Sequence, residues 1–177
     1  MALLMNDRIR LRALEPEDLT LLYRWENDAC LWEEGSTLAP FSRYILREYI
    51  AHSGRDIYES HQLRLMVENR KAGVGIGLID LFDFDPHANR AACGILIDTA
   101  YRGQGFSIEA IRLLMEYAYT FLKIHQLYAH VPVHNKPSLL TFAHCGFVEC
   151  GRLKDWIQTS KGYSDVYIMQ AFDDQFK

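Results

Sequence analysis

Tyr101-Arg102-Gly103-Gln104-Gly105-Phe106-Ser107 joins an apolar stretch to the longest helical pattern in the chain. Its two glycines allow close backbone approach, and the helix start behind them offers unpaired N–H groups and the positive end of a dipole. Arg102 adds a full charge. Together these features suit a phosphate or pyrophosphate. No Gly-Lys-Ser/Thr follows, so this is not a Walker loop, and the three spaced glycines of a dinucleotide fingerprint are missing. An isolated Gly-x-Gly more often only shapes a tight turn. Here the context argues otherwise, because an apolar strand comes before it and a second strand–loop–helix unit comes after.

Other residues bring acids, bases and cation holders. Asp80, Asp83 and Asp85 lie on or just after one strand, and a period of two puts Asp80 on the face opposite Asp83 and Asp85. Trp32-Glu33-Glu34 sets paired carboxylates beside an indole, which can hold an ammonium by charge and cation–π attraction; it equally describes a solvated acidic loop. Asn135 reads as a helix N-cap accepting from the N–H near Ser138. His134 could shuttle a proton near neutral pH, although a lone loop histidine is more often a bystander. No metal site is expected, since Pro132 prevents His130 and His134 from sharing a helical face.

The elements that must position these groups follow from periodicity. Ile9–Ala13 alternates as a half-buried strand, and Glu15-Pro16-Glu17-Asp18 opens a helix whose buried stripe is Leu19, Leu22 and Trp25. Residues 27–40 read as a loop and 42–52 as a helix. Strands are expected at 63–68, 74–84 and 91–97, the last wholly apolar and buried on both faces. A long, mostly buried helix spans 107–122, followed by a strand at 126–131, a helix at 136–145, and strands at 147–154 and 163–170. The order β-α-α-β-β-β-α-β-α-β-β predicts an α/β fold with a mixed, twisted central sheet flanked by helices.

The 177 residues suit a single domain spanning 1–177, and 49% hydrophobic with 24% charged residues excludes a disordered chain. Nineteen basic against twenty-three acidic side chains give −4, so no nucleic-acid partner is implied and a cationic substrate is weakly favoured. No apolar run approaches a membrane span, and Met1–Met5 is too short for a signal-peptide core. Cys30, Cys93, Cys145 and Cys150 form no C-x-x-C pair and are expected as reduced thiols in a cytoplasmic protein. Cys145, followed by Gly146-Phe147 at a helix end, is explained by packing.

With these motifs in place, the chain resembles the GNAT superfamily of acetyl-CoA-dependent N-acetyltransferases. The family pattern Arg/Gln-x-x-Gly-x-Gly/Ala is met by Arg102, Gly105 and, imperfectly, Ser107. Ile9–Glu17, and the stretch from His134-Asn135-Lys136-Pro137-Ser138 to Gly146-Phe147, resemble the group of bacterial spermidine acetyltransferases and ribosomal-protein N-terminal acetyltransferases. The resemblance implies acetyl-CoA as cosubstrate, with no metal. Its pyrophosphate would rest on Arg102, Gly103, Gln104, Gly105, Phe106 and Ser107, its pantetheine arm along Ile95, Leu96 and Ile97, and Asn135 and Ser138 would make a further contact. It also implies a homo-oligomer.

The acceptor is read as a primary amine, best a polyamine such as spermidine, with a protein N-terminus, an amino sugar or a silent CoA-binding module as alternatives. An alkylamine with a pKa of about 10 must lose a proton before attacking a thioester. The resemblance gives Asp80 the role of substrate anchor or base, with His134 in reserve, and Trp32, Glu33 and Glu34 that of gripping the amine. Two positions depart from the family. Phe142 stands where many members carry a tyrosine acid, and Ala92 where relatives often carry glutamate.

Overall fold

A computed structural model describes residues 3–32 and 37–173. Seven strands form one sheet in the order β1-β2-β3-β4-β5-β7-β6: β1 (Ile9–Arg12), β2 (Leu63–Asn69), β3 (Val74–Asp85), β4 (Arg90–Ile97), β5 (Gln126–Pro132), β6 (Val148–Thr159) and β7 (Gly162–Phe172). Among the described residues only β4 and β5 run parallel, and the other strand pairs are antiparallel. The helices are α1 (Leu19–Glu26), α2 (Ala29–Trp32), α3 (Arg43–His52), α4 (Ile57–Ser60), α5 (Phe106–Thr120) and α6 (Lys136–His144). The long elements match the expected order. Within the expected loop at 27–40, α2 forms a single turn after Asp28, whose carboxylate accepts from the Cys30 N–H. Ser42 caps α3 through the Ile45 N–H, as its residue type favours.

The two faces of the sheet carry separate cores. Ile79, Leu81, Cys93 and Ile97 face α5, which buries Phe106, Ala110, Ile111, Leu114 and Ala118 against them. Met66, Leu78 and Leu96 face α1 and α3, where Leu22, Trp25, Leu46 and Ile50 cover them. Close closure of β3 on β4 depends on Gly77, where an added Cβ would lie 2.2 Å from the Leu96 carbonyl oxygen.

The expected facing of the aspartates is corrected by a bulge. Pairing runs from Phe82↔Ala92 to Asp85↔Arg90, so β3 carries one extra residue, and Asp83 adopts φ 48°. The insertion reverses the alternation. Phe84 therefore joins the same core as Ile79 and Leu81, and Asp85 returns to the face of Asp80 rather than opposing it. The β6–β7 hairpin also extends further than its apolar pattern predicts, because most of β6 is exposed and alternates poorly.

Candidate active site

The parallel strands stay together only briefly. Arg90, Ala91 and Ala92 pair with Gln126, Leu127 and Tyr128; beyond that rung β4 and β5 part, while β4 stays bonded to β3 and β5 to β7. Cys93–Ile97 thus keeps one edge with no strand partner among the described residues. Its middle, Gly94, Ile95 and Leu96, is half-buried rather than enclosed as expected, because the neighbouring strand has moved away.

At the open end the chain enters the glycine loop. Asp98 closes a short turn by accepting from the Ala100 N–H, and Arg102 folds back so that its Nε donates to the Ile97 carbonyl at 2.9 Å. Gly103 and Gly105 hold φ 72° and 84°, which a side chain would strain. Gly105 is the N-cap of α5, and no side chain caps that helix. The first N–H groups of a fifteen-residue helix are therefore left for a ligand, beside Arg102 and Ser107. A pocket of about 190 Å³, lined by Arg24, Trp25, Leu96, Ile97 and Arg102, opens next to this loop. Across the slot, Asn135 caps α6 by accepting from the Ser138 N–H at 3.1 Å, as its position predicts.

The inner end of the slot is built differently. Asp80 is the cross-strand partner of both Arg64 and Gly94, two residues beyond the last β4–β5 rung. Its Oδ1 accepts from Arg64 Nε at 2.6 Å and from Gln62 Nε2 at 3.3 Å. Arg64 Nη1 reaches the Glu26 carboxylate at 2.6 Å, and its guanidinium lies 5.3 Å from the Tyr49 ring centre. Burial opposes the charge of Arg64, but Asp80, Tyr49 and Glu26 outweigh it and raise its pKa. Burial raises the Tyr49 phenol, with Arg64 opposing. A second pocket, of about 370 Å³, opens beside the cluster between Tyr49, His52, Gln62 and Arg64.

The remaining expected residues divide. Trp32 donates its indole N–H to the Glu26 carbonyl at 2.9 Å, which ties α2 to the charged cluster. Glu33 and Glu34 lie outside the described residues. His134 sits beyond the end of β5, exposed, with Nδ1 3.3 Å from Ser164 Oγ; it is not brought to Asp80. Phe142 is 3% exposed and packs edge-on against Phe147 at 5.0 Å. Burial pushes the Cys145 thiol up to about 11 and raises Cys93 as well, so neither is a thiolate nucleophile. Among the described residues no three or more His, Cys, Asp or Glu side chains cluster as metal ligands. No described helix is long and apolar enough to cross a membrane.

Glu26 and Arg64 are the charged residues at the inner end of the slot that periodicity missed. A signal was present: Arg64 and Asp80 each interrupt an apolar strand, and opposite charges on neighbouring buried strands call for each other.

Comparison with known proteins agrees with this geometry. Residues 8–148 match the Acetyltransferase (GNAT) domain family. The chain is 30% identical over 173 residues to a spermidine N(1)-acetyltransferase of Vibrio cholerae, covering 94% of this chain and 96% of the relative. It is 27% identical over 171 residues to the Escherichia coli K12 spermidine N(1)-acetyltransferase, covering 95% and 88%. The crystal structure of the Vibrio cholerae spermidine N-acetyltransferase with CoA and spermine superposes with a TM-score of 0.86 at 27% identity, covering 97% of this chain and 99% of that one. A dodecameric structure of spermidine N-acetyltransferase from Vibrio cholerae gives a TM-score of 0.79 at 28% identity, covering 97% of each chain.

Proposed function

This chain belongs to the GNAT acetyltransferase family, and from that premise we propose that it moves the acetyl group of acetyl-CoA directly onto a primary amine of a polyamine such as spermidine. The observation that carries the reading is the parting of β4 from β5 after Ala92, in a slot that leads to the uncapped start of α5. Acetyl-CoA enters as a substrate. Its pyrophosphate lies on the N–H groups of Gly103–Ser107 with Arg102 beside them. Its pantetheine arm runs along the free edge of Ile95–Ile97, and Asn135 and Ser138 bound the other side. Relatives named for spermidine, one crystallised with CoA and spermine, support the acceptor.

The amine gives its ammonium proton to solvent and its nitrogen attacks the thioester carbonyl; the C–S bond breaks, the thiolate leaves with the electron pair, and the nitrogen gives its second proton to water. Most of the acceleration comes from holding the two reactants together. Phe142 supplies no proton, and a thiolate needs less protonation than an alkoxide would. Asp80 and Glu26 share Arg64, so the cluster carries one net negative charge at the inner end of the slot. We assign Asp80 the role of anchoring the substrate cation rather than acting as base, because Arg64 and Gln62 already occupy its Oδ1. Trp32 is tied to this cluster through the Glu26 carbonyl. The chain forms a single domain and assembles as a homo-oligomer, in line with a relative's dodecamer.

The test follows thiol release from acetyl-CoA against spermidine, spermine, putrescine, amino sugars and N-terminal peptides. Turnover confined to the polyamines is expected. Turnover on peptides or amino sugars instead would overturn the acceptor. CoA binding without turnover would make Phe142 the mark of a silent module.

A further inference from the structure

One acid stands where the proposed pyrophosphate site should not tolerate it. Glu109 lies in the first turn of α5, the turn whose N–H groups and dipole are to receive the phosphates. A carboxylate there stabilises an empty helix start, but it repels a polyanion arriving at the same turn. The structure turns this carboxylate away. Arg8, just ahead of β1, forms an ion pair with Glu109 Oε1, and Asn6 Nδ2 donates to Oε2 at 3.0 Å. The same guanidinium lies 4.4 Å from the centre of the Phe106 ring, and its Nη2 donates to the Gln104 carbonyl at 3.0 Å. Arg8 is itself held, because Asn6 Oδ1 accepts the Arg8 and Ile9 N–H groups. One arginine from the other end of the chain thus touches three residues of the loop and its helix.

We propose that Arg8 is a positioning residue for the acetyl-CoA phosphates: it neutralises Glu109 and braces the Gln104–Phe106 backbone so that the α5 N-terminus can accept an anion. The inference rests on the acetyl-CoA reading above. Its chemistry is selective, since it concerns only the phosphate-bearing part of the donor and neither the thioester nor the acceptor amine.

The experiment compares acetyl-CoA with S-acetylpantetheine, which carries the same thioester without phosphates. In Arg8→Met the KM for acetyl-CoA should rise about tenfold, with kcat and the acceptor KM changing less than twofold, as loss of one charge-assisted contact near a bound anion predicts. The kcat/KM for S-acetylpantetheine should change less than twofold. Adding Glu109→Gln to Arg8→Met should recover most of the lost affinity, because the uncompensated charge is gone. An unchanged KM in Arg8→Met, an equal loss with both donors, or a loss that Glu109→Gln does not reverse would each overturn the proposal. If Arg8→Met does not fold, Arg8→Lys carries the test: it keeps the charge but not the fork, so its acetyl-CoA KM should rise about threefold with kcat/KM for S-acetylpantetheine unchanged, and an unchanged acetyl-CoA KM or an equal loss with both donors would overturn the proposal. A wild-type chain that fails to bind CoA overturns the acetyl-CoA reading and this inference with it; wild-type binding with any of the contrary outcomes overturns the inference alone.

Discussion

The outer and inner ends of the slot handle charge in opposite ways. At the outer end, backbone groups stand open: among the described residues Cys93–Ile97 has one edge with no strand partner, and no side chain caps α5. At the inner end the charged side chains pair with one another, with Arg64 shared between Glu26 and Asp80 so that a single negative charge is left over. In the proposed function the first arrangement would recognise what every acetyl-CoA molecule has in common, a phosphate and an amide-bearing arm, and needs only geometry. The second would recognise a particular acceptor in the same proposal, and it depends on which side chains happen to meet across β2, β3 and α1.

The comparison breaks most visibly at Arg64. Arg64→Met leaves Glu26 and Asp80 facing each other half-buried, and should lower stability by about 3 kcal/mol in urea titration, while a variant that also carries Asp80→Asn should regain part of that loss. Gly77→Ala tests the outer end. Its Cβ would meet the Leu96 carbonyl, and about 2 kcal/mol of destabilisation is expected from the same measurement.

Asp98 joins the two ends, accepting from Trp25 Nε1 at 2.9 Å and pairing with Arg24. Burial works against its charge, but the Trp25 and Ala100 donors and the nearby arginines together hold its carboxyl below the ordinary value. A lowered folded-state pKa stabilises above the unfolded carboxylate value and is lost as pH falls through the folded one. Wild type should therefore exceed Asp98→Asn by about 1 kcal/mol at neutral pH, and the gap should shrink as pH drops below about 4. A gap that is constant with pH would refute the ionic role. The smallest effect is expected at Phe142→Tyr. Its hydroxyl would enter the contact with Phe147, costing about 1 kcal/mol and raising kcat by less than twofold; a tenfold gain would show that a proton donor is needed there.

The outer end was legible in the sequence because its signals are local. Gly103 and Gly105 mark a loop before an apolar helix, and Asn135 caps within three residues, so neighbours in sequence are neighbours in space. The inner end was not. Arg64 meets partners 16 and 38 residues away, and at the outer end the one pair that joins distant segments, Arg8 with Glu109 across 101 residues, was hidden for the same reason. Spacing alone does not bring such pairs together. The Asp83 bulge shows a second limit, since one inserted residue inverts every later inward–outward assignment on β3. The turn of α2 shows a third: four residues are too few to leave a periodicity.

The most direct test of the separation between the two ends is calorimetric titration of CoA into wild type, Gly105→Val and Asp80→Asn. Valine at φ 84° distorts the helix start, so Gly105→Val should bind CoA about a hundredfold more weakly, while Asp80→Asn should bind it as wild type does. Normal CoA affinity in Gly105→Val, or a matching loss in Asp80→Asn, would contradict the account.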